Sequence, residues 1–485
     1  MRPWVPALHA YAYILMLFSL LFLVPTAASW WRADGSHTLY EEAMAVAFAA
    51  GALLWAATRR YRRPLRPADG FLIVALTWVV SPLFAAIPLY LYRPELGYVR
   101  AYFEAVSGLT TTGATVYSGL DDFPFSLNLW RAFLHWVGGM GVVVLAVAIL
   151  PLLGIGGRQV FQAESPTPLK EESLTPRVAD TAKGLWLTYA GMTLLCMGAF
   201  WYGGMSIEDA VIHAFSVMGL GGFSSHDASF GYFHSLALEL IAIAFATLSG
   251  FNWATHYLAL VRRSTKPYWR DPELPYYLGV LAFSSLMLAA YLTVNGAYAD
   301  FWRALRDTAF HVVSIATSLG LATTDYTLWP FFAQLWLLFL SSFTACAGST
   351  GGGIKMMRAI ILYKQIYREI VRALHPNAVV PVRLRKTIIE NRVIFAVLGF
   401  SFLYMVSIVS LTLVLSASGL DIVTAFSAVV ACINNTGPGL GAVGPAANYG
   451  GLNEGQTLLL TFTMVLGRLE IFTLLVVLTP AFWRR

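Results

Sequence analysis

Apolar residues in this chain come in long, nearly unbroken stretches rather than at the 3–4 residue spacing of a helix with one wet face. Phe71 to Leu91, Leu129 to Leu152 and Asn391 to Ser416 are each long enough to cross hydrocarbon, which takes about 20 helical residues. Ten spans are predicted on this basis, at 10–29, 41–58, 71–92, 129–152, 185–202, 236–260, 275–295, 329–365, 391–416 and 455–483. The eighth is too long for one crossing and is interrupted by a glycine-rich run. The apolar part of the first, Ala10 to Ser29, exceeds a signal-peptide core of roughly 7 to 15 residues, so it reads as a retained span.

From the third span onward, each connection on one side of the membrane holds a moderately apolar segment that runs into a polar, glycine-rich stretch. The stretches are Ser107 to Thr115, Ser216 to Ser224, Ser314 to Ala322 and Ile433 to Leu440. Superposing Gly113, Gly222, Gly320 and Gly437 gives intervals of 109, 98 and 117 residues, a fourfold internal repeat that outranks any single motif as a guide to architecture. The segments ahead of them, Ala101 to Ser107, Ile207 to Met218, Trp302 to Ala316 and Ile422 to Cys432, predict half-helices entering from outside. In the first three copies a serine lies six residues before the aligned glycine. In the fourth the nearest serine, Ser427, lies ten before Gly437, which predicts a last half-helix or turn that differs.

The predicted fold is an all-α integral membrane protein. Two N-terminal transmembrane helices (1–66) precede four units of helix, re-entrant loop and helix around a central pore. The units occupy 67–157, 158–270 with a leading cytoplasmic linker, 271–380 with an intramembrane loop at 345–355, and 381–485.

Composition fits: 58% of the 485 residues are hydrophobic and 12% charged, where soluble domains carry roughly 25% charged residues. The pI of about 9.1 does not point to nucleic acid, because Lys and Arg occupy short loops rather than one solvated face. Alternating the spans gathers Arg59, Arg60, Arg262, Arg263, Lys364, Arg368, Arg383, Arg385 and Arg484 on one side. By the positive-inside rule that side, with both termini, is cytoplasmic. Opposite loops hold few such residues, among them Arg93, Arg100, Arg303 and Arg306. Cys196, Cys346 and Cys432 have neither disulfide nor metal-ligand spacing and read as small packing residues. No triad, acid–base pair or metal cluster is legible, so the chain is not expected to be an enzyme.

Non-helical backbone at membrane depth is tolerated only inside protein or against a water-filled cavity, and four such segments facing one axis meet that condition. Their carbonyl oxygens can replace the hydration shell of a cation, and the half-helix C-termini would add partial negative charge beneath. Asp121, Asp122, Asp227 and Asp325 read as solvated loop charges more than as a lure for cations. In the eighth span Gly348, Ser349, Thr350, Gly351, Gly352 and Gly353, followed by Lys355, break the helix, since each glycine costs about 1 kcal/mol relative to alanine. This predicts a movable plug in preference to close helix packing.

The run resembles a nucleotide-binding loop but has Ile354 where Lys is required, and Gly439 to Gly444 spells GxGxxG without a βαβ context, so no bound nucleotide is expected. Arg468 and Glu470 lie within the last span, where a charge costs roughly 2.5 to 3.5 kcal/mol, and should face inward. Arg468 would neutralise loop carbonyls or repel cations, or else form a structural ion pair. Glu239 and His135 read as structurally satisfied polar groups. A broken-helix secondary transporter coupled to Na+ or H+ is the alternative, but its mark is inverted repeats, whereas these four share one orientation.

Thr110 to Thr115 (Thr-Thr-Thr-Gly-Ala-Thr), Ala347 to Lys355, Leu374 to Ala378 (Leu-His-Pro-Asn-Ala) and Asn434 to Gly441 resemble motifs of the Trk/Ktr/HKT superfamily, in particular its TrkH branch, over essentially the whole chain. The resemblance implies potassium uptake across the bacterial inner membrane, K+ as the transported ion, a homodimer, and a cytosolic nucleotide-binding partner of TrkA type. It places ion ligands at carbonyls around Thr111, Thr112, Leu220, Gly221, Ser318, Leu319, Asn435 and Thr436, beside Gly113, Gly222, Gly320 and Gly437. In related plant transporters a serine at the first glycine position goes with sodium permeation, so Gly113 implies potassium.

Overall fold

A computed structural model describes residues 4–60, 65–141, 178–385 and 387–484. Large apolar side chains cover its outside: Leu187, Leu195 and Phe402 are 74%, 68% and 72% exposed. Polar and charged groups, including Glu104, Arg131, Asn434 and Asn435, are buried. That inversion is what hydrocarbon solvent demands of a helical protein.

Among the described residues six helices are long and apolar enough to cross a membrane, namely Val5–Arg32, His37–Thr58, Ala68–Tyr92, Ala182–Tyr202, Leu274–Val294 and Asn391–Ala417. The eighth predicted span is two helices, Phe331–Ser341 and Met356–Leu374, flanking the expected break. Two further spans, predicted as continuous, are also bent. Leu236–Ser249 and Trp253–Val261 meet at 90°, and Glu454–Arg468 and Phe472–Leu478 at 115°. At the first bend Asn252 accepts a hydrogen bond from Ala254 N at 3.1 Å and starts a new helix. At the second, Glu470 and Ile471 adopt left-handed backbone (φ 51° and 60°), which for a β-branched residue is a genuine outlier. Of the fourth span Phe125–Gly139 is described; its predicted end and the 158–177 linker lie outside the described residues. The fold is all-helical as expected, with one small addition among the described residues, a two-stranded hairpin of Arg383–Leu384 with Thr387–Ile388, Arg383 opposite Ile388.

The four half-helices run Tyr98–Leu109, Ile207–Gly219, Phe301–Ala316 and Ile422–Ile433. At 1.5 Å per residue none reaches across hydrocarbon. Three are capped from the sequence: Ser206, Asp300 and Asp421 accept from Asp209 N, Arg303 N and Thr424 N. The fourth turn does not differ in its closing bond. Thr112 N, Gly221 N, Leu319 N and Thr436 N each donate to the carbonyl five residues back, on Ser107, Ser216, Ser314 and Ala431, at 2.7–2.9 Å. The bond uses the main chain, so Ala431 serves as well as a serine.

Candidate functional site

Each half-helix closes on that six-residue turn with a left-handed residue inside it, the geometry in which glycine is the usual occupant. Here the occupants are Thr111, Leu220, Ser318 and Asn435, with φ of 56°, 54°, 64° and 52°. Holding side-chain-bearing residues left-handed costs about 1–2 kcal/mol each, and such strain persists where the surroundings over-determine it, commonly at functional sites. Two residues on, Gly113, Gly222, Gly320 and Gly437 are left-handed as well.

These glycines close a ring. A methyl carbon on Gly113 would sit 2.0 Å from Gly221 O, one on Gly222 2.2 Å from Leu319 O, one on Gly320 2.1 Å from Thr436 O, and one on Gly437 2.6 Å from Thr112 O. Each copy therefore abuts the carbonyl of the next, and the fourth returns to the first. Asn435 Nδ2 bridges the last seam to Thr112 Oγ1 at 2.9 Å. All four glycines line one cavity of about 280 Å³.

Below the ring the 345–355 loop lies against the half-helix ends. Thr350 Oγ1 donates to Met218 O at 3.3 Å, and Gly352 N donates to Ser318 Oγ at 2.8 Å. A methyl on Gly351 would stand 2.6 Å from Thr317 O, and one on Gly352 2.0 Å from Asn434 O, so this run must be side-chain-free to approach so closely. Its entry is pinned to the bend of the sixth span by Cys346 N to Gly250 O and Trp253 N to Gly348 O, both 3.0 Å. Buried Glu273 accepts from Ala347 N at 2.8 Å. Lys355 Nζ donates to Gly351 O within the loop.

Arg468 faces inward, as predicted. It donates to Thr350 O at 2.9 Å, to Gly138 O and Gly139 O, and at 3.3 Å to Thr111 Oγ1, so one guanidinium joins the loop to the first unit. Glu470 pairs with Arg358, on the helix that leaves the loop.

A family model described as cation transport protein, TrkH, matches residues 39–484. The chain belongs to the TrkH family. The crystal structure of the potassium transporter TrkH from Vibrio parahaemolyticus superposes with a TM-score of 0.89 at 40% identity, covering 99% of this chain and 100% of that one. Trk system potassium uptake protein TrkH of the same species is 43% identical over 474 residues, 97% of each chain. Its Escherichia coli K12 counterpart is 42% identical over 472 residues, again 97% of each. Membership in this family of transport proteins also places the chain outside the enzymes.

In this TrkH-family chain His135 is satisfied structurally, as expected, but it also walls the site, which sequence reasoning missed. Its Nδ1 lies 2.8 Å from Gly108 O while Nε2 accepts from Phe223 N at 3.2 Å, an arrangement that fixes the neutral Nδ1–H tautomer. A methyl on Gly221 would fall 2.1 Å from its ring. Glu239 is held by Arg306 at 2.6 Å, away from the ring.

Three of the four loop acids, Asp121, Asp227 and Asp325, prove to be loop ties. Asp227 accepts from Gly119 N and Leu120 N, and Asp121 from Asp227 N, so the exit loops of units one and two are knotted together. His226 lies between Asp121 and Asp209, at 2.5 and 3.2 Å, and stacks on Tyr232. Burial pulls the His226 pKa down, but the two carboxylates outweigh it and hold it above the usual imidazole value. Asp325 caps its own turn through Thr327 N.

Proposed function

We propose that this chain carries potassium ions across the bacterial inner membrane as the conducting subunit of a Trk-type uptake system. The observation that supports this best is the closed ring in which each aligned glycine meets the next copy's carbonyl and all four border a single cavity. In this reading the four units are pseudo-symmetric repeats around a central pore. Carbonyls of Thr111, Thr112, Leu220, Gly221, Ser318, Leu319, Asn435 and Thr436, with those of the four aligned glycines, take the place of water around the ion. The half-helix C-termini add partial negative charge below the ring. The 345–355 loop, held by Arg468, is the plug, and it opens when the loop leaves the half-helix ends.

The Lys- and Arg-rich loops and both termini lie in the cytoplasm, and the working form is a homodimer with a cytosolic TrkA-type nucleotide-binding subunit. Potassium uptake named in the relatives agrees with the absence of a side chain at position 113. Growth of a strain stripped of its own potassium uptake tests the proposal. Expression with the partner subunit should restore growth at low potassium, and membrane-inserted protein that neither rescues growth nor passes K+ in liposomes overturns it.

A further inference from the structure

Nine residues before each aligned glycine, about one and a half turns before the half-helix end, stand Glu104, His213, His311 and Ala428. Three of the four carry a polar side chain that reaches over to the limb leaving its own glycine. Glu104 accepts from Thr115 Oγ1 and Val116 N, both at 2.9 Å. His213 Nε2 meets Ser224 Oγ at 2.9 Å, and His311 Nε2 meets Thr324 O at 3.1 Å. The fourth unit uses the preceding residue instead, Ser427 Oγ accepting from Leu440 N at 2.8 Å. Every exit limb is thus tethered from behind, and only the first tether is a carboxylate.

That carboxylate has a cation of its own. Arg131, on Phe125–Gly139, reaches Glu104 at 2.8 Å, with 1% and 0% of the two side chains exposed. Its other hydrogen bonds go to Asn128 Oδ1 at 3.1 Å, to Thr115 Oγ1 on the first limb at 3.3 Å and to Ser224 O at 3.2 Å, and its guanidinium lies 4.3 Å from the Phe223 ring centre. Ser224 and Phe223 belong to the exit limb of the second unit, and Arg131 itself lines the cavity above the ring.

We propose that Glu104 and Arg131 are a selectivity-determining pair of positioning residues that sets the spacing between the first and second limbs. Glu104 fixes the first limb, Arg131 shares Thr115 of that limb and reaches across to Ser224 O of the second, and the contact between the two side chains fixes the distance at the seam where Gly113 meets Gly221 O. A carboxylate–guanidinium pair is directional and shielded from water here, so it holds that spacing more stiffly than a neutral hydrogen bond does. The seam between the first two carbonyl sets would consequently be the least able to shrink around a smaller, more strongly hydrated ion. The inference rests on the ring being the conduction path.

The test uses purified full-length protein in liposomes, comparing K+ with Na+ flux for the parent, Glu104→Gln and Glu104→Asp. Glu104→Gln removes the charge at nearly constant shape, while Glu104→Asp keeps it and withdraws it from Thr115 and Val116. The expected result is a fall of about tenfold in the K+ to Na+ ratio for Glu104→Gln, with K+ flux retained, and a smaller fall for Glu104→Asp. A ratio within twofold of the parent in both variants overturns the proposal, as does failure of both to fold, which would make the pair a support of stability alone. A parent protein that passes no K+ overturns the conduction reading itself, an outcome separate from either.

Discussion

Gly113→Ser combines a side chain on a residue at φ 78° with a Cβ 2.0 Å from Gly221 O, so the carbonyl must give way. Sodium flux relative to potassium in liposomes should rise roughly tenfold, the equivalent of about 1.4 kcal/mol, and an unchanged ratio would remove Gly113 from selectivity. Arg468→Ala leaves Thr350 O and Gly138 O without a charged donor. Such bonds are worth about 1.5–3 kcal/mol, so the seated loop should be less populated and basal K+ flux should rise tenfold or more. The knot at His226 should respond to pH. A raised folded-state pKa means the protonated imidazole contributes stability in full below its unfolded value, and that contribution is lost as pH rises through the raised value. Hydrogen exchange at Gly119, Leu120 and Asp227 should therefore quicken beyond its intrinsic rise as pH passes upward through that value. In His226→Asn that excess should vanish.

Deleting Gly348 to Gly353 removes the segment that touches the ends of the second, third and fourth half-helices and should raise basal flux; unchanged gating in a membrane-inserted variant would discard the plug. At this scale the chain was partly legible. Limits of the half-helices, 12–16 residues long, could be predicted to within a few residues because moderately apolar segments run into glycine-rich stretches. The break in the eighth span was legible because four glycines cannot stay helical cheaply. The turns themselves were not, since a left-handed Thr, Leu, Ser or Asn gives no sign of itself where glycine is the norm. Serine spacing does not foretell the fourth turn because all four turns close through the main chain, and Ser107 Oγ and Ser216 Oγ have no partner among the described residues. The bend at Glu470 and Ile471 lacks glycine or proline and is imposed by tertiary surroundings. His135, too, is lone in sequence and meets the site only through folding.

For the molecule as a whole, the distribution of Lys and Arg predicts orientation, and thiol labelling in intact cells can check it. The natural cysteines are buried, so His234→Cys, in a loop that this orientation puts outside, should react with a membrane-impermeant reagent from outside. Thr265→Cys should react only after the cells are opened. Reversed labelling would invert the topology. Ring closure has a consequence of its own. Because a methyl on every aligned glycine would meet its successor first, the circle has a sense of rotation, like stones laid in one direction. A bulky residue at one station is felt first by the neighbour downstream, so the four glycine substitutions should leave four different defects, each displaced one quarter of the way round from the residue changed.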